Sequence, residues 1–330
     1  MARAVTPGGD SAAVLAQLLK RRLVFVAGKG GTGKTTLTAA LALLAARAGK
    51  RVLCIEVDAK GDLPRALGSD PVGFEPRSVQ PGIAVLALHA EESLQEYLRI
   101  YFKVPRLARM TPLSRVFDFI ATGVPGTKDM LIVGKVAYEE KRREKDGRPV
   151  WDLILVDSAA SGHVLPQLGA ARSMLSVLRG GGIIRSQVEW IDATLQDRRR
   201  TLLTICALPE EMPVAEAIEL HDRAQADGHI GLGACFLNRT FPVAVSGRQE
   251  ALAAALAAPE GPLAAEGVEG GAALADGVHL ARVLADASRR RSRQLRSALD
   301  IPVLEVPYAT GARPGLATSR AVAVALETVP

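Results

Sequence analysis

The chain is poor in aromatic residues and contains no long apolar run. Phe, Trp and Tyr make up 4% of its 330 residues, so the 48% hydrophobic content comes mostly from Ala, Leu and Val. No stretch approaches the ~18 consecutive apolar residues of a membrane-spanning helix. A secretory leader is not expected either, since Lys20, Arg21 and Arg22 interrupt the apolar run that begins at Ala12. The sequence predicts a cytoplasmic protein, with peripheral contact to a membrane left open.

Cysteine is scarce as well. Cys54, Cys206 and Cys235 are far apart, and each lies within an apolar run. No pair has the spacing of a zinc site or a redox motif. We therefore expect three buried free thiols.

Basic residues exceed acidic ones, and the formal net charge is +6. Three runs stand out, at residues 141–143, 198–200 and 289–291. They fit solvated helix faces as well as they fit contact with anionic lipid or nucleic acid. Because no aromatic residues are interleaved with them, a nucleic-acid partner is not favoured.

Short apolar runs recur along the chain, separated by segments in which apolar residues have helical spacing. This alternation is typical of a mostly parallel sheet covered by helices on both faces. We predict an α/β fold in which residues 21–330 form one domain, after an N-terminal arm at 1–20 with a short helix at Ser11–Leu19. The predicted strands are Leu23–Ala27, Arg51–Val57, Ile83–Leu88, Asp152–Val156, Leu202–Ala207, Leu232–Leu237 and Pro302–Val306.

Two parts of the chain depart from this rhythm. Residues from about 91 to 145 have helical spacing and no convincing strand, which predicts a helical subdomain inserted in the sheet domain. Its predicted helices are Leu94–Phe102, Leu113–Ala121 and Lys128–Glu144. The apolar residues of the insertion either line a groove for a client protein or form its own core. The other part, Ala251–Gly277, predicts a helix pair with a flexible loop.

A phosphate-binding loop follows the first predicted strand directly. Two glycines separated by four residues, then Lys and Thr, match the P-loop pattern in Gly28–Thr35. Glycines let consecutive backbone N–H groups surround the phosphates, and the helix that follows directs its positive end at them. Lys34 neutralises β- and γ-phosphate charge, and the Thr35 hydroxyl can ligate Mg²⁺. The sheet is therefore predicted to be that of a P-loop NTPase with ATP and Mg²⁺ as cofactors.

The same glycines also match a dinucleotide-binding fingerprint, GxGxxG, with Glu56 and Asp58 where a ribose-binding acid is expected. That alternative leaves Lys34 and Thr35 without a use. A further acid, Asp157, ends the apolar run Leu153–Val156, which is where a Mg²⁺-organised phosphoryl site needs one. The P-loop interpretation is favoured, and an NAD-type enzyme remains the weaker alternative.

The full box from Lys29 to Thr36, KGGTGKTT, resembles the deviant Walker A box of the arsenite-pump and tail-anchored-protein-targeting ATPases. The resemblance implies a dimer, with Lys29 reaching the partner's ATP, Asp58 acting on the attacking water and Asp157 holding Mg²⁺. It also implies that Asn238 and Pro307 contact the adenine. The resulting candidate site residues are Gly28, Lys29, Gly30, Gly31, Thr32, Gly33, Lys34, Thr35, Thr36, Asp58, Asp157, Asn238 and Pro307.

The chain departs from the family pattern after Asp58, where Ala59-Lys60-Gly61 replaces the usual Pro-Ala-His. Paired cysteines for a bridging zinc or for arsenite are absent, and only 5 Met occur, too few for the family's Met-rich client helix. Two functions remain open. One is a dimeric ATPase that couples its nucleotide state to a protein client or a membrane-associated partner. The other is a weakly hydrolysing regulatory subunit that pairs with a paralogous ATPase.

Overall fold

The computed structural model describes residues 11–57, 60–88, 92, 126–178, 181–241 and 245–328. Their strands are β1 Leu23–Gly28, β2 Val52–Glu56, β3 Arg77–Gln80, β4 Ile83–Ala87, β5 Leu153–Ala160, β6 Thr201–Ala207, β7 Gly231–Thr240 and β8 Val303–Pro307. They form one sheet in the order β3-β4-β2-β5-β1-β6-β7-β8. Seven of these strands run parallel, and β3 runs antiparallel to β4 at the edge. The predicted mostly parallel α/β sheet is confirmed.

The strands form where the sequence places continuous apolar residues. Every residue of β1, β2, β4 and β6 is buried, as expected when helices cover both faces of a parallel sheet. The edge strand β3 was not predicted, because Arg77–Gln80 is short, polar and partly exposed. Strand β5 continues to Ala160 instead of ending at Val156, since backbone pairing extends through polar residues that an apolar pattern does not count.

Helices cover both faces of the sheet. They are α1 Ser11–Leu19, α2 Lys34–Arg47, α3 Asp62–Ala66, α4 Thr127–Lys141, α5 Ser161–Leu168, α6 Ala170–Val177, α7 Ile183–Gln196, α8 Glu211–Asp227, α9 Gly247–Ala257, α10 Pro262–Ala265, α11 Gly271–Ala298 and α12 Leu316–Thr328. One core layer contains apolar side chains of α1, α2, α3 and α12, and the other contains those of α4 to α8. The predicted helix at Ser11–Leu19 is confirmed.

Helix α2 has no polar face after its first turn. Its residues from Leu37 to Ala45 are all buried, because the sheet covers one side and α12 packs on the other. A helix enclosed in this way is apolar all round. The phosphate loop is therefore followed by a rigid, fully packed element.

Only part of the predicted insertion lies among the described residues. Helix α4 covers most of the predicted Lys128–Glu144 helix, and Val133 and Val136 are fully buried in the core layer that also contains Phe25 of β1. This helix thus packs with the main domain. The predicted helices Leu94–Phe102 and Leu113–Ala121 lie outside the described residues, so the groove remains a prediction.

The predicted helix pair near Ala251–Gly277 is confirmed in α9 and α11. Helix α9 begins with a capping box, in which Ser246 and Gln249 each accept a backbone N–H of the other. The connection contains the short helix α10, and α11 continues to Ala298, well beyond the predicted end.

The three cysteines are buried free thiols, as predicted. Burial raises the pKa of the Cys206 thiol to about 12, so it stays protonated at neutral pH. Across the described part of the chain, no group of three or more His, Cys, Asp or Glu side chains could hold a metal ion. No helix in those same ranges is both long and apolar enough to cross a bilayer.

Candidate functional site

The candidate site lies at the carboxyl ends of the central strands. Strand β1 lies between β5 and β6 and leads directly into the phosphate loop and α2. Asp157 of β5 is in register with Val26 of β1 and with Glu56 of β2. Parallel topology therefore brings the loop and the acid of the next strand to the same edge of the sheet.

Two glycines of the loop are required by close packing. A Cβ at Gly28 would lie 2.1 Å from the backbone carbonyl oxygen of Cys206. At Gly33, where φ is +90°, a Cβ would lie 2.3 Å from the Nδ2 atom of Asn238. Side chains of L-residues rarely adopt such a positive φ. By contrast, a Cβ at Gly30 would have no neighbour within 4 Å.

The loop ends at the amino terminus of α2, which offers backbone donors. The N-cap residue, Gly33, provides no side-chain acceptor for the first turn of the helix. Helix amino termini of this kind bind anions through free N–H groups and the helix dipole. The Lys34 amine donates to the carbonyl oxygen of Lys29 at 3.2 Å, so this cation lies against the loop.

The two predicted magnesium ligands contact each other. The Thr35 hydroxyl donates to the Oδ2 atom of Asp157 at 2.6 Å, and Asp157 is 7% exposed. A hydroxyl and a carboxylate beside a phosphate cradle are oxygen donors of the kind that Mg²⁺ uses together with water and phosphate. The residues present therefore fit a magnesium ion.

Glu56 has a structural use that the sequence did not reveal. Its buried carboxylate accepts the backbone N–H groups of Gly61, Asp62 and Leu63 at 3.1, 2.8 and 3.1 Å. These bonds hold the start of α3, and they occupy one of the two acids that the dinucleotide alternative offers to a ribose. Asp58 and Ala59 lie outside the described residues, so the role of Asp58 remains a prediction.

Lys29 forms an ion pair within its own chain. Its Nζ atom lies 2.7 Å from the Oε1 atom of Glu216 on α8, and the two side chains are 36% and 30% exposed. The other oxygen of Glu216 accepts the Ser161 hydroxyl at 3.4 Å, at the start of α5. Glu216 therefore links the phosphate loop to the segment that follows Asp157. Sequence reasoning missed this residue; the available signal was an acid on the helix that follows β6, a neighbour of β1.

The predicted adenine contacts lie at the carboxyl ends of β7 and β8. Asn238 is 5% exposed. Its Nδ2 atom donates to the carbonyl oxygen of Thr32 at 2.8 Å, and its Oδ1 atom accepts the backbone N–H of Arg239. Asn238 thus ties β7 to the phosphate loop. Pro307 pairs with Thr240, beside it in the sheet. The contact of Asn238 and Pro307 with adenine remains a prediction.

Comparison with known proteins agrees with this arrangement. The family model of anion-transporting ATPases matches residues 21–185, half of the chain, which include the loop and Asp157. ATPase BagA of Mycobacterium tuberculosis is 29% identical in an alignment over 326 residues, which covers 93% of this chain and 93% of that protein.

Two other relatives match over shorter stretches. A putative arsenical pump-driving ATPase of Aquifex aeolicus is 29% identical over 156 residues, 46% of this chain and 50% of that protein. ATPase get3 of Schizosaccharomyces japonicus is 30% identical over 145 residues, 43% of this chain and 41% of that protein. These names agree with the resemblance to arsenite-pump and targeting ATPases that the loop indicates. Together with the fold and the loop, the family match shows that this chain belongs to the anion-transporting ATPase family.

Proposed function

We propose that this chain is a Mg²⁺-dependent ATPase that acts as a dimer and couples its nucleotide state to the binding of a protein partner. The observation that carries the proposal is the contact between the Thr35 hydroxyl and the Asp157 carboxylate beside the glycine loop and Lys34. Such an arrangement of hydroxyl, carboxylate and lysine suits a nucleoside triphosphate with a divalent cation. An NAD-type site has no use for it.

Binding and positioning account for most of the proposed chemistry. Backbone N–H groups of the loop and the Lys34 amine bind the triphosphate and offset its charge. Thr35 and Asp157 are the residues that would hold Mg²⁺, which when bound supplies further positive charge to the phosphate oxygens. Asp58 orients the attacking water. No covalent intermediate with the protein is needed.

In a dimer, Lys29 is proposed to stabilise the γ-phosphate charge of the partner's ATP. In the single chain its amine contacts Glu216 instead. The lysine must therefore leave Glu216 before it can cross the interface. When Lys29 leaves, Glu216 loses its cation while it still accepts the Ser161 hydroxyl, so that the state of the partner's site affects the segment that follows Asp157.

Replacement of Asp157 tests the magnesium assignment. The Asp157→Asn variant keeps the size of the side chain but removes the charge, so we expect the Mg²⁺-dependent gain in ATP affinity to fall by ~10-fold or more. Titration of a fluorescent ATP analogue with and without Mg²⁺ measures this gain. Asp146→Asn, which changes an exposed acid in the turn before β5, is the matched control. An unchanged Mg²⁺ effect in Asp157→Asn would show that the metal ligand lies elsewhere.

Replacement of Glu216 tests the proposed release of Lys29. Glu216→Gln retains a polar side chain but loses the ion pair, so less free energy opposes the move of Lys29 to a partner subunit. We expect ATP-dependent dimerisation to strengthen by about 3- to 10-fold, in line with a partly exposed ion pair. Sedimentation velocity with a non-hydrolysable ATP analogue gives the dissociation constant. Glu219→Gln, which changes a more exposed acid on the same helix, should leave the dissociation constant of the dimer unchanged. Equal dissociation constants in the two variants would refute the release step.

A second candidate function is a nucleotide-gated subunit that hydrolyses weakly and pairs with a paralogous ATPase. The chain's Lys60-Gly61 after Asp58 favours it, because Lys60 is an exposed cation at a position where the usual family pattern, Pro-Ala-His, has an alanine. Turnover measured alone and with a paralogue from the same genome separates the two candidates. A fast rate from the purified single protein argues against the regulatory candidate.

A further inference from the structure

Three basic segments meet at the edge of the sheet that is opposite the phosphate loop. Strands β1, β5 and β6 are neighbours and parallel, so they begin at the same edge. The segments are residues 20–22 before β1, 141–148 before β5 and 198–200 before β6, and we name them together the basic edge. Since β1 has six residues, the basic edge lies about 20 Å from the loop at its other end.

The segments contact one another or the elements that adjoin them. The Arg22 Nη1 atom donates to the carbonyl oxygen of Trp151 at 2.6 Å, which joins the first segment to the start of β5. The Arg21 Nη1 atom donates to the carbonyl oxygen of Arg199 at 3.2 Å. The Lys141 amine lies 4.5 Å from the ring centre of Trp190, on the helix that leads to the third segment.

The charge of this surface is large relative to that of the chain. The three segments hold eleven Lys or Arg residues against two acids, a net charge of +9, compared with +6 for the whole protein. Three further acids pair with them from just outside: Glu140 with Arg22, Glu139 with Arg142, and Asp197 with Arg200. With these three acids included, the net charge of the edge falls from +9 to +6.

Local structural roles account for only part of these cations. Helices α4 and α7 end here, and cations near a helix carboxyl terminus offset its dipole. Arg22 holds the start of β5 through the backbone carbonyl of Trp151. Lys20, Lys145 and Arg199 nevertheless have exposed side chains, and their charge faces solvent.

We propose that the basic edge is a docking surface for an anionic lipid bilayer. Its segments contain no aromatic residue, and the adjoining Trp151 and Trp190 pack against the core. The edge therefore offers few of the stacking groups that single-stranded nucleic acids require. The edge consists of strand starts, turns and helix carboxyl ends, and none of these projects as a recognition helix into a major groove. Long cationic side chains spread over a broad edge suit mobile lipid headgroups, where each contributes about a factor of five in affinity.

This docking would leave the nucleotide site free, since the phosphate loop lies at the opposite edge of the same sheet. Lipid binding at this edge requires neither ATP hydrolysis nor dimerisation. The basic edge thus offers a partner chemistry that the phosphate loop does not.

Vesicle co-sedimentation of the full chain tests the proposal. The wild type should pellet with vesicles that contain phosphatidylglycerol and not with pure phosphatidylcholine, and 1 M salt, where the Debye length is ~3 Å, should release it. Lys145→Glu with Arg199→Glu should weaken binding by at least ~10-fold. Arg248→Glu with Arg290→Glu changes the net charge equally on exposed residues of α9 and α11, and should bind like the wild type.

Four results would overturn the proposal: equal pelleting with phosphatidylcholine, equal loss in the α9 and α11 control, undiminished binding of the Lys145 and Arg199 variant, or duplex DNA that binds where anionic vesicles do not. Thermal unfolding verifies that each variant folds. Should the charge reversals prevent folding, Lys20→Gln with Lys145→Gln makes the same comparison with a smaller change. The vesicle binding of this variant should then lie between the binding of the wild type and the binding that remains in 1 M salt. Binding equal to that of the wild type would contradict the proposal.

Discussion

Lys29→Ala is expected to lower steady-state ATP turnover by ~1,000-fold or more while ATP still binds. We expect a loss of this size because a cation supplied across an interface to a phosphoryl-transfer site raises the turnover rate by about 10³- to 10⁵-fold. Binding should persist because the Lys34 amine and the amino terminus of α2 belong to the same chain as the nucleotide. A coupled phosphate-release assay measures turnover, and titration of a fluorescent ATP analogue measures binding.

Lys50→Ala is the matched control for this variant. It removes a partly buried lysine at the opposite edge of the sheet, before β2, and should keep wild-type turnover. Normal turnover in Lys29→Ala would contradict the assignment of this lysine to the γ-phosphate. Loss of ATP binding in parallel with turnover would instead make Lys29 a ligand of its own chain's nucleotide.

Gly28→Ala is expected to have the largest effect on stability of the single substitutions in the loop. The new Cβ would lie 2.1 Å from the Cys206 carbonyl oxygen, and this neighbour is backbone in the central strand β6, so it cannot rotate away. Overpacking of a rigid core costs about 1–3 kcal/mol, occasionally more, and we expect the upper end of that range. ATP affinity should fall as well, because β1 positions the loop.

Gly30→Ala provides an internal control two residues away. A Cβ at this position has open space, so the free energy of unfolding should change by less than about 1 kcal/mol. Urea denaturation of both variants gives the comparison. Equal stabilities would show that the close approach of Gly28 to Cys206 does not restrict the residue at this position.

The parts of the fold that depend on continuous apolar runs could be predicted from the sequence. The seven parallel strands and the glycine loop carry strong local signals, because buried parallel strands are apolar throughout and the loop needs specific residue types. Strand β3 gave no such signal, since Arg77–Gln80 is polar and gains its structure from pairing with β4. The carboxyl end of β5 was missed for the same reason.

Within the site, the P-loop pattern and the acid that ends the run Leu153–Val156 predicted Thr35 and Asp157 as ligands of one metal ion, and their side chains are in contact. The ion pair of Lys29 was not predictable. Glu216 lies 187 residues after Lys29, and no local pattern distinguishes it from the other acids of α8. Likewise, the sequence leaves Glu56 a candidate ribose-binding acid, and only the tertiary structure shows that its carboxylate accepts three backbone N–H groups. Residues whose role depends on distant partners require the tertiary structure.

The basic edge illustrates the same limit. Two of its segments were visible as separate basic runs, each compatible with a solvated helix face. Only the sheet order, which makes β5, β1 and β6 neighbours, brings them together as one surface. That the segments form one cationic surface therefore follows from the sheet topology and not from any single basic run.

The central claim is that Lys29 completes the ATP site of a partner subunit. The most direct measurement mixes two inactive chains, Lys29→Ala and Asp58→Asn, and follows phosphate release, with pairing verified by co-purification of differently tagged chains. In the mixed dimer, the Lys29→Ala chain keeps Asp58 and receives an intact lysine from its partner, so turnover should reappear. A mixture that pairs but remains as inactive as its components would contradict the account.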